Sequence, residues 1–68
     1  MKQIRYVVEH LDSGKYLGKK YFIGEKVAYF SQAYRFTAFE LKLASKVLLI
    51  PKNDYRVYAI EVEDDTTN

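Results

Sequence analysis

One stretch decides the fold: FTAFELKLASKVLLIP, residues Phe36–Pro51, which carries the start, the body and the stop of a single amphipathic helix. Thr37 and Glu40 have the spacing of a capping box. Phe36 and Leu41 occupy the two positions of a hydrophobic staple around that cap. The closing proline lacks an N–H and ends the helix. The stretch therefore predicts one main helix, from Ala38 to about Leu49.

The helix has one apolar face, which needs a sheet to pack on. The residues at the spacing of a buried stripe are Leu41, Ala44, Val47 and Leu48, with Phe39, Leu43 and Ile50 widening it. Lys42 and Lys46 lie one turn apart and form a basic ridge on the outer face.

Extended segments precede the helix. Gln3–His10 alternates between two faces as a strand does, and Asp12 and Gly14 then suit a turn. Lys15–Ile23 predicts the returning strand, in which Gly18 indicates a bulge or a close backbone approach. After a second turn at residues 24–26, residues 27–30 predict a short strand. Residues 31–35 predict one helical turn, capped by a serine, that delivers Phe36 to the core.

The last strand is predicted at Tyr55–Glu63, after an exit loop at residues 51–54. Both of its faces are apolar over residues 57–60, so we expect it to be central or to have its second face covered by a partner. The order is β-β-(β)-α-β, which predicts an α+β fold with an antiparallel sheet of three to four strands and one main helix on one face. Residues 1–63 form one domain, and residues 64–68 form a frayed acidic tail.

Composition limits the class of protein. A chain of 68 residues buries only about 60% of its unfolded surface, so its stability is small. It has no cysteine, which excludes disulfides and thiolate metal sites, and its 49% hydrophobic content is too high for a disordered chain. We recognise no signal peptide and no apolar run of membrane-spanning length, which predicts a cytoplasmic protein without membrane contact.

Charge is distributed unevenly along the chain. Residues 1–60 hold all 11 basic residues and five of the nine acids, a net charge of +6, whereas the last eight residues hold four acids. A basic body favours a polyanionic partner, and a solvated lysine-rich surface is the alternative explanation.

The residues for catalysis or metal binding do not assemble in the sequence. His10 is the only histidine, and with no cysteine it cannot build an ordinary zinc site. Asp12 and Ser13 lie close to it, but a turn that needs these residue types explains them. We therefore expect no enzymatic activity, no cofactor and no metal.

The remaining candidates for function are tyrosines and cations that lie near one another in the sequence. The candidate binding residues are Tyr16, Lys19, Lys20, Tyr21, Tyr34, Arg35, Lys42 and Lys46. Tyrosine and arginine are enriched at protein interfaces, and the same mixture suits a platform for single-stranded nucleic acid. The alternative is that the tyrosines supply core area in a small chain.

Several segments together resemble a loose class of very small phage and prophage accessory proteins, most of them uncharacterised. The matching positions are Arg5–His10, Ser13–Gly18, the A-x-x-F step of Ala33 and Phe36, the helix through Ala44, and Tyr58–Asp65. The resemblance implies a small α+β fold and a viral setting in a bacterial host, and it implies no catalytic residue.

Three functions follow as hypotheses. The first is a protein-interaction module that binds and modulates a host or viral protein. The second is nucleic-acid binding, which expects Lys19, Lys20, Arg35, Lys42 and Lys46 on one face. The third is self-assembly, such as a homodimer in which a second copy covers the last strand.

Overall fold

The computed structural model describes residues 2–48 and 54–63, in which one α-helix packs on a four-stranded antiparallel sheet. The strands are β1 (Lys2–His10), β2 (Lys15–Leu17), β3 (Lys26–Val27) and β4 (Tyr55–Glu63), and the helix is α1 (Ala38–Leu48). The predicted α+β class is confirmed. The predicted acidic tail, the end of the helix and most of the exit loop lie outside the described residues.

The strand order is β3-β2-β1-β4, so β1 is central and β4 lies at an edge. β1 pairs with β4 over nine consecutive residues, from Lys2 opposite Glu63 to His10 opposite Tyr55. The prediction that the last strand is central is therefore wrong. Its apolar composition does not reflect burial on both faces, because Val57 is 49% exposed.

The chain bonds to the central strand of the sheet just before the helix. β2 is only three residues long, and Phe36 takes the next place beside β1. The N–H of Tyr6 donates to the carbonyl of Phe36, and the N–H of Phe36 donates to the carbonyl of Tyr6, both at 2.8 Å. The Phe36 side chain is completely buried, as predicted.

The predicted helical turn before Phe36 differs in detail. It is a 3-10 turn at Phe30–Gln32, and its first flanking residue is the extended Tyr29 with no side-chain cap. Ser31 therefore lies within the turn and does not cap it.

The predicted strand Lys15–Ile23 is wrong beyond Leu17. The chain leaves the sheet at Gly18 and forms a 3-10 turn at Tyr21–Ile23. The reason is a contact with Glu25, whose carboxylate accepts the N–H of Lys20 at 2.9 Å. A Cβ on Gly18 would lie 2.8 Å from Cδ of Glu25, so the group that approaches this glycine closely is a side chain. The strand predicted at residues 27–30 is mostly wrong, because β3 ends at Val27 and Phe30 begins the next 3-10 turn.

The helix begins with the predicted capping box. The N–H of Glu40 donates to Oγ1 of Thr37 at 3.1 Å, and the N–H of Thr37 donates to Oε1 of Glu40 at 2.9 Å. This exchange satisfies two of the N–H groups that a helix start leaves without partners.

The core lies between α1 and one face of the sheet. Its buried members are Val8, Leu17, Phe36 and Ala44, with Leu41 and four tyrosines packed against them. The prediction that Phe39 and Leu43 widen the buried stripe is wrong, because Phe39 is 70% exposed and Leu43 is also exposed. Each is two positions from Leu41, and residues at that spacing point to different sides of a helix. The Val47 and Leu48 side chains lie outside the described part.

A smaller aromatic layer covers the opposite face of the sheet. The Phe30 ring contacts the rings of Tyr16 and Tyr58, with centroids 5.5 and 6.0 Å apart. Tyr58 is paired with Val7, so this layer lies on the face where Val7 is completely buried. The guanidinium of Arg35 lies 5.2 Å from the centre of the Phe30 ring. The layer explains how a single sheet buries both faces of its central strand.

Candidate binding cleft

A cleft of about 400 Å³ brings together four of the eight predicted binding residues. Lys19, Lys20, Tyr21 and Tyr34 line it, together with Phe22 and Glu40. It lies between the loop that follows β2 and the first turn of α1, which pack against each other. Gly24, with a φ of +89°, ends the 3-10 turn of this loop in the left-handed region that glycine favours.

The two tyrosines of the cleft are anchored on the core. The rings of Tyr21 and Tyr34 contact the buried Phe36 ring, with centroids 5.1 and 4.8 Å apart. Such contacts fix the orientation of both rings, and their remaining edges form the wall of the cleft. The cleft is therefore preformed on the tyrosine side.

Glu40 forms an anionic wall that is tied to the helix cap. The Tyr34 hydroxyl donates to Oε2 of Glu40, while Oε1 accepts the Thr37 N–H. The hydrogen bond to the carboxylate, followed by burial, raises the pKa of Tyr34 to about 12. The same hydrogen bond, followed by the Thr37 N–H, lowers the pKa of Glu40. Glu40 is thus ionised at neutral pH and held in one orientation.

The rim of the cleft on the loop side is apolar and exposed. Phe22 is 60% exposed and Ile23 is 71% exposed, although both belong to a 3-10 turn whose first residue packs on the core. The Phe22 ring stands edge-on to Tyr21 at 5.7 Å. Large apolar side chains held out from the surface in this way are typical of an interaction site.

The other four predicted residues lie elsewhere. Tyr16 and Arg35 belong to the aromatic layer around Phe30, where Arg35 also donates to the carbonyls of Phe30 and Ala33 at 2.9 and 3.0 Å. Lys42 and Lys46 are exposed on α1 and do not line the cleft. The structure thus brings together four of the eight predicted binding residues, and the Arg35 guanidinium is bonded within the protein itself.

Two residues of the cleft were not among the predicted binding residues. Phe22 was placed in a strand, and only the early end of β2 shows that it belongs to an exposed turn. Glu40 was assigned only to the helix cap. The available signal was chemical: a capping carboxylate uses one oxygen and leaves the second for another donor. In the structure that donor is the hydroxyl of Tyr34, six residues earlier in the sequence.

A second cavity, of about 370 Å³, lies at the first hairpin turn and is lined by His10, Leu11, Asp12 and Asp54. His10 Nδ1 lies 2.7 Å from the Ser13 hydroxyl, which also accepts the N–H of Lys15 at 3.3 Å. Local turn geometry accounts for these contacts. Within residues 2–48 and 54–63, no three histidine or carboxylate side chains are grouped as a metal site would require.

No family model matches the chain, and no curated protein or solved structure is significantly similar to it. In the described ranges, no helix has the length and apolar character needed to cross a bilayer.

Proposed function

We propose that this chain is a small protein-interaction module whose cleft binds an exposed segment of a protein partner. The observation that carries the proposal is a preformed cleft with two lysines whose exposed wall residue Phe22 is followed by the exposed Ile23. Aromatic side chains at a concave site are the usual anchors of protein recognition.

The size and the charges of the cleft indicate the kind of segment. A volume of about 400 Å³ accommodates one large side chain and part of its neighbours. Lys19 and Lys20 attract a carboxylate on one side, while the fixed anion of Glu40 repels one on the other. The preferred ligand is therefore an aromatic or aliphatic side chain with an acidic residue on one flank only.

Selection from a random peptide library tests this preference. Phe22→Ser removes the apolar rim, and Phe39→Ser is the matched control, because Phe39 is comparably exposed but lies on the helix. We expect enriched peptides to combine an apolar anchor with one acidic flank, and to lose at least about tenfold in affinity for Phe22→Ser alone. Equal losses in both variants, or no enrichment, would overturn the proposal.

The biological setting of the proposal comes from the sequence resemblance to phage accessory proteins: a bacterial cytoplasm, with a host or viral protein as the modulated target. Affinity capture from a bacterial lysate tests it, with Phe22→Ser as the comparison. A partner retained by the original chain and lost by the variant supports the proposal. Identical captured proteins for the two would contradict it.

Nucleic-acid binding is the second candidate, because lysines beside aromatic rings in a groove also suit single-stranded nucleic acid. Two lysines predict a salt slope of about −1.4, which corresponds to about a sevenfold loss of affinity between 50 and 200 mM salt. Fluorescence anisotropy with a short oligothymidine measures it, and replacing both lysines by alanine should abolish the binding. Binding that does not depend on salt would exclude this candidate.

A further inference from the structure

The strand β4 ends the sheet with a long edge that carries few of the features that prevent association. Edge strands are usually short, or protected by lysines, prolines or bulges. β4 has nine residues, an unbroken register with β1, and no charge or proline between Arg56 and Glu61. In the described part of the chain, no strand pairs with its second edge.

The hydrogen bonds of Tyr6 show which residues of β4 face outward. Both backbone groups of Tyr6 bond to Phe36, so they point away from β4. Tyr6 is opposite Ala59, and this pair is consequently not hydrogen-bonded within the β1–β4 ladder. Ala59 must direct its N–H and C=O to the outer edge, and by alternation Val57 and Glu61 do the same.

We propose that β4 is the docking edge for a second copy of this chain, which pairs with it antiparallel about a two-fold axis at Ala59. A two-fold axis perpendicular to the sheet places the helix-covered faces of both copies on the same side. The residues whose N–H and C=O groups point outward then face one another as hydrogen-bonded pairs. Ala59 then faces Ala59 of the second copy, and Val57 faces Glu61 of the second copy. The two four-stranded sheets become one continuous sheet.

The register follows from the symmetry and the charges of the strand. Ala59 is the middle residue of Tyr55–Glu63, so pairing about it overlaps the whole strand, whereas any shifted register loses pairs at both ends. The antiparallel arrangement also keeps Glu61 and Glu63 of the two copies at opposite ends of the interface. In this register Glu61 faces Val57 and Glu63 faces Tyr55 of the other copy, so no two charged residues are directly opposed.

The small core supplies an independent reason for a second copy. Among the side chains that the structure describes, only six apolar ones are buried: Val7, Val8, Leu17, Ala33, Phe36 and Ala44. Chains of this size without disulfides commonly gain stability by association. The cleft is built on the opposite side of β1, from the connection between β2 and β3, so the dimer leaves it open.

Single cysteines in this cysteine-free chain test the register directly. Under mild oxidation, Ala59→Cys alone should form a covalent dimer, because opposed residues of a hydrogen-bonded pair have Cα atoms about 5.5 Å apart, within disulfide range. Val57→Cys mixed with Glu61→Cys should form the heterodimer, and each alone should cross-link no more than the control Phe39→Cys. Cross-linking equal to that control in all cases would overturn the proposal.

Sedimentation equilibrium tests the association itself. We expect a monomer–dimer equilibrium that Ala59→Lys weakens at least about tenfold and that the exposed control Phe39→Lys leaves unchanged. Circular dichroism confirms that both variants are folded. A monomer at all concentrations up to about 1 mM, or equal weakening by both variants, would refute the dimer. Peptide binding by the cleft is measured separately with Phe22→Ser. The dimer can therefore be refuted while peptide binding is retained, and the reverse also holds.

Discussion

Replacing Phe36 tests the core more directly than any other substitution. Its side chain is completely buried and contacts the rings of Tyr21 and Tyr34, so Phe36→Ala leaves a large cavity and should cost about 3–5 kcal/mol. A domain of 68 residues has about 3–10 kcal/mol in total. We therefore expect Phe36→Ala to be largely unfolded, and Phe36→Leu to remain folded with a loss of about 1–1.5 kcal/mol.

Phe39 is the matched control, because it is the same residue type three positions later and is 70% exposed. Phe39→Ala should change the free energy of unfolding by less than about 0.5 kcal/mol. Urea unfolding followed by circular dichroism measures Phe36→Leu and Phe39→Ala, and the spectrum without urea shows whether Phe36→Ala is unfolded. With a slope near 1 kcal/mol per molar urea, Phe36→Leu should lower the midpoint by about 1 M. If Phe36→Ala cost less than Phe39→Ala, the placement of the core would be refuted.

Thr37→Ala removes the helix cap and should lower the free energy of unfolding by about 1 kcal/mol, measured by urea unfolding. Because folding lowers the pKa of Glu40, its contribution is present above its ordinary pKa and is lost as the pH falls through the folded value. Tyr34→Phe should raise that pKa, seen by NMR titration of the carboxyl carbon, and should flatten the acid loss of stability; an unchanged pKa would contradict the network. Gly18→Ala should destabilise the chain by displacing Glu25, and Glu25→Ala in the same chain should recover part of the loss, as a thermal melt would show.

Local signals predicted the helix start and the bounds of the first and last strands well. Thr37 and Glu40 are three residues apart, and the alternation of Gln3–His10 needs no distant partner to be recognised. The strand after the first turn was predicted too long because its end depends on the contact between Gly18 and Glu25, which no local pattern encodes. The place of β4 in the sheet depends on its neighbours, so its own composition could not decide it.

The candidate site was predictable to the extent that its residues are neighbours in sequence. Lys19, Lys20 and Tyr21 follow one another, and any fold keeps them together. Tyr34 and Glu40 lie on either side of Phe36 in the sequence, and they join the lysines because Phe36 is bonded to the central strand beside this loop. The contact between the Arg35 guanidinium and the Phe30 ring could not be predicted. It depends on which residues cover the second face of β1, and the sequence does not show that.

The full-length pairing of β1 with β4 has a consequence for synthesis on the ribosome. Glu9 and Tyr58, whose side chains hydrogen-bond at 2.6 Å, are 49 positions apart. The central strand is therefore made early, while the strand that pairs with its whole length emerges last among the described elements. Until then one edge of β1 has no strand paired with it. Contacts between residues this distant in sequence also slow folding. The edge of β1 therefore stays unpaired until β4 has been synthesised and has paired with it.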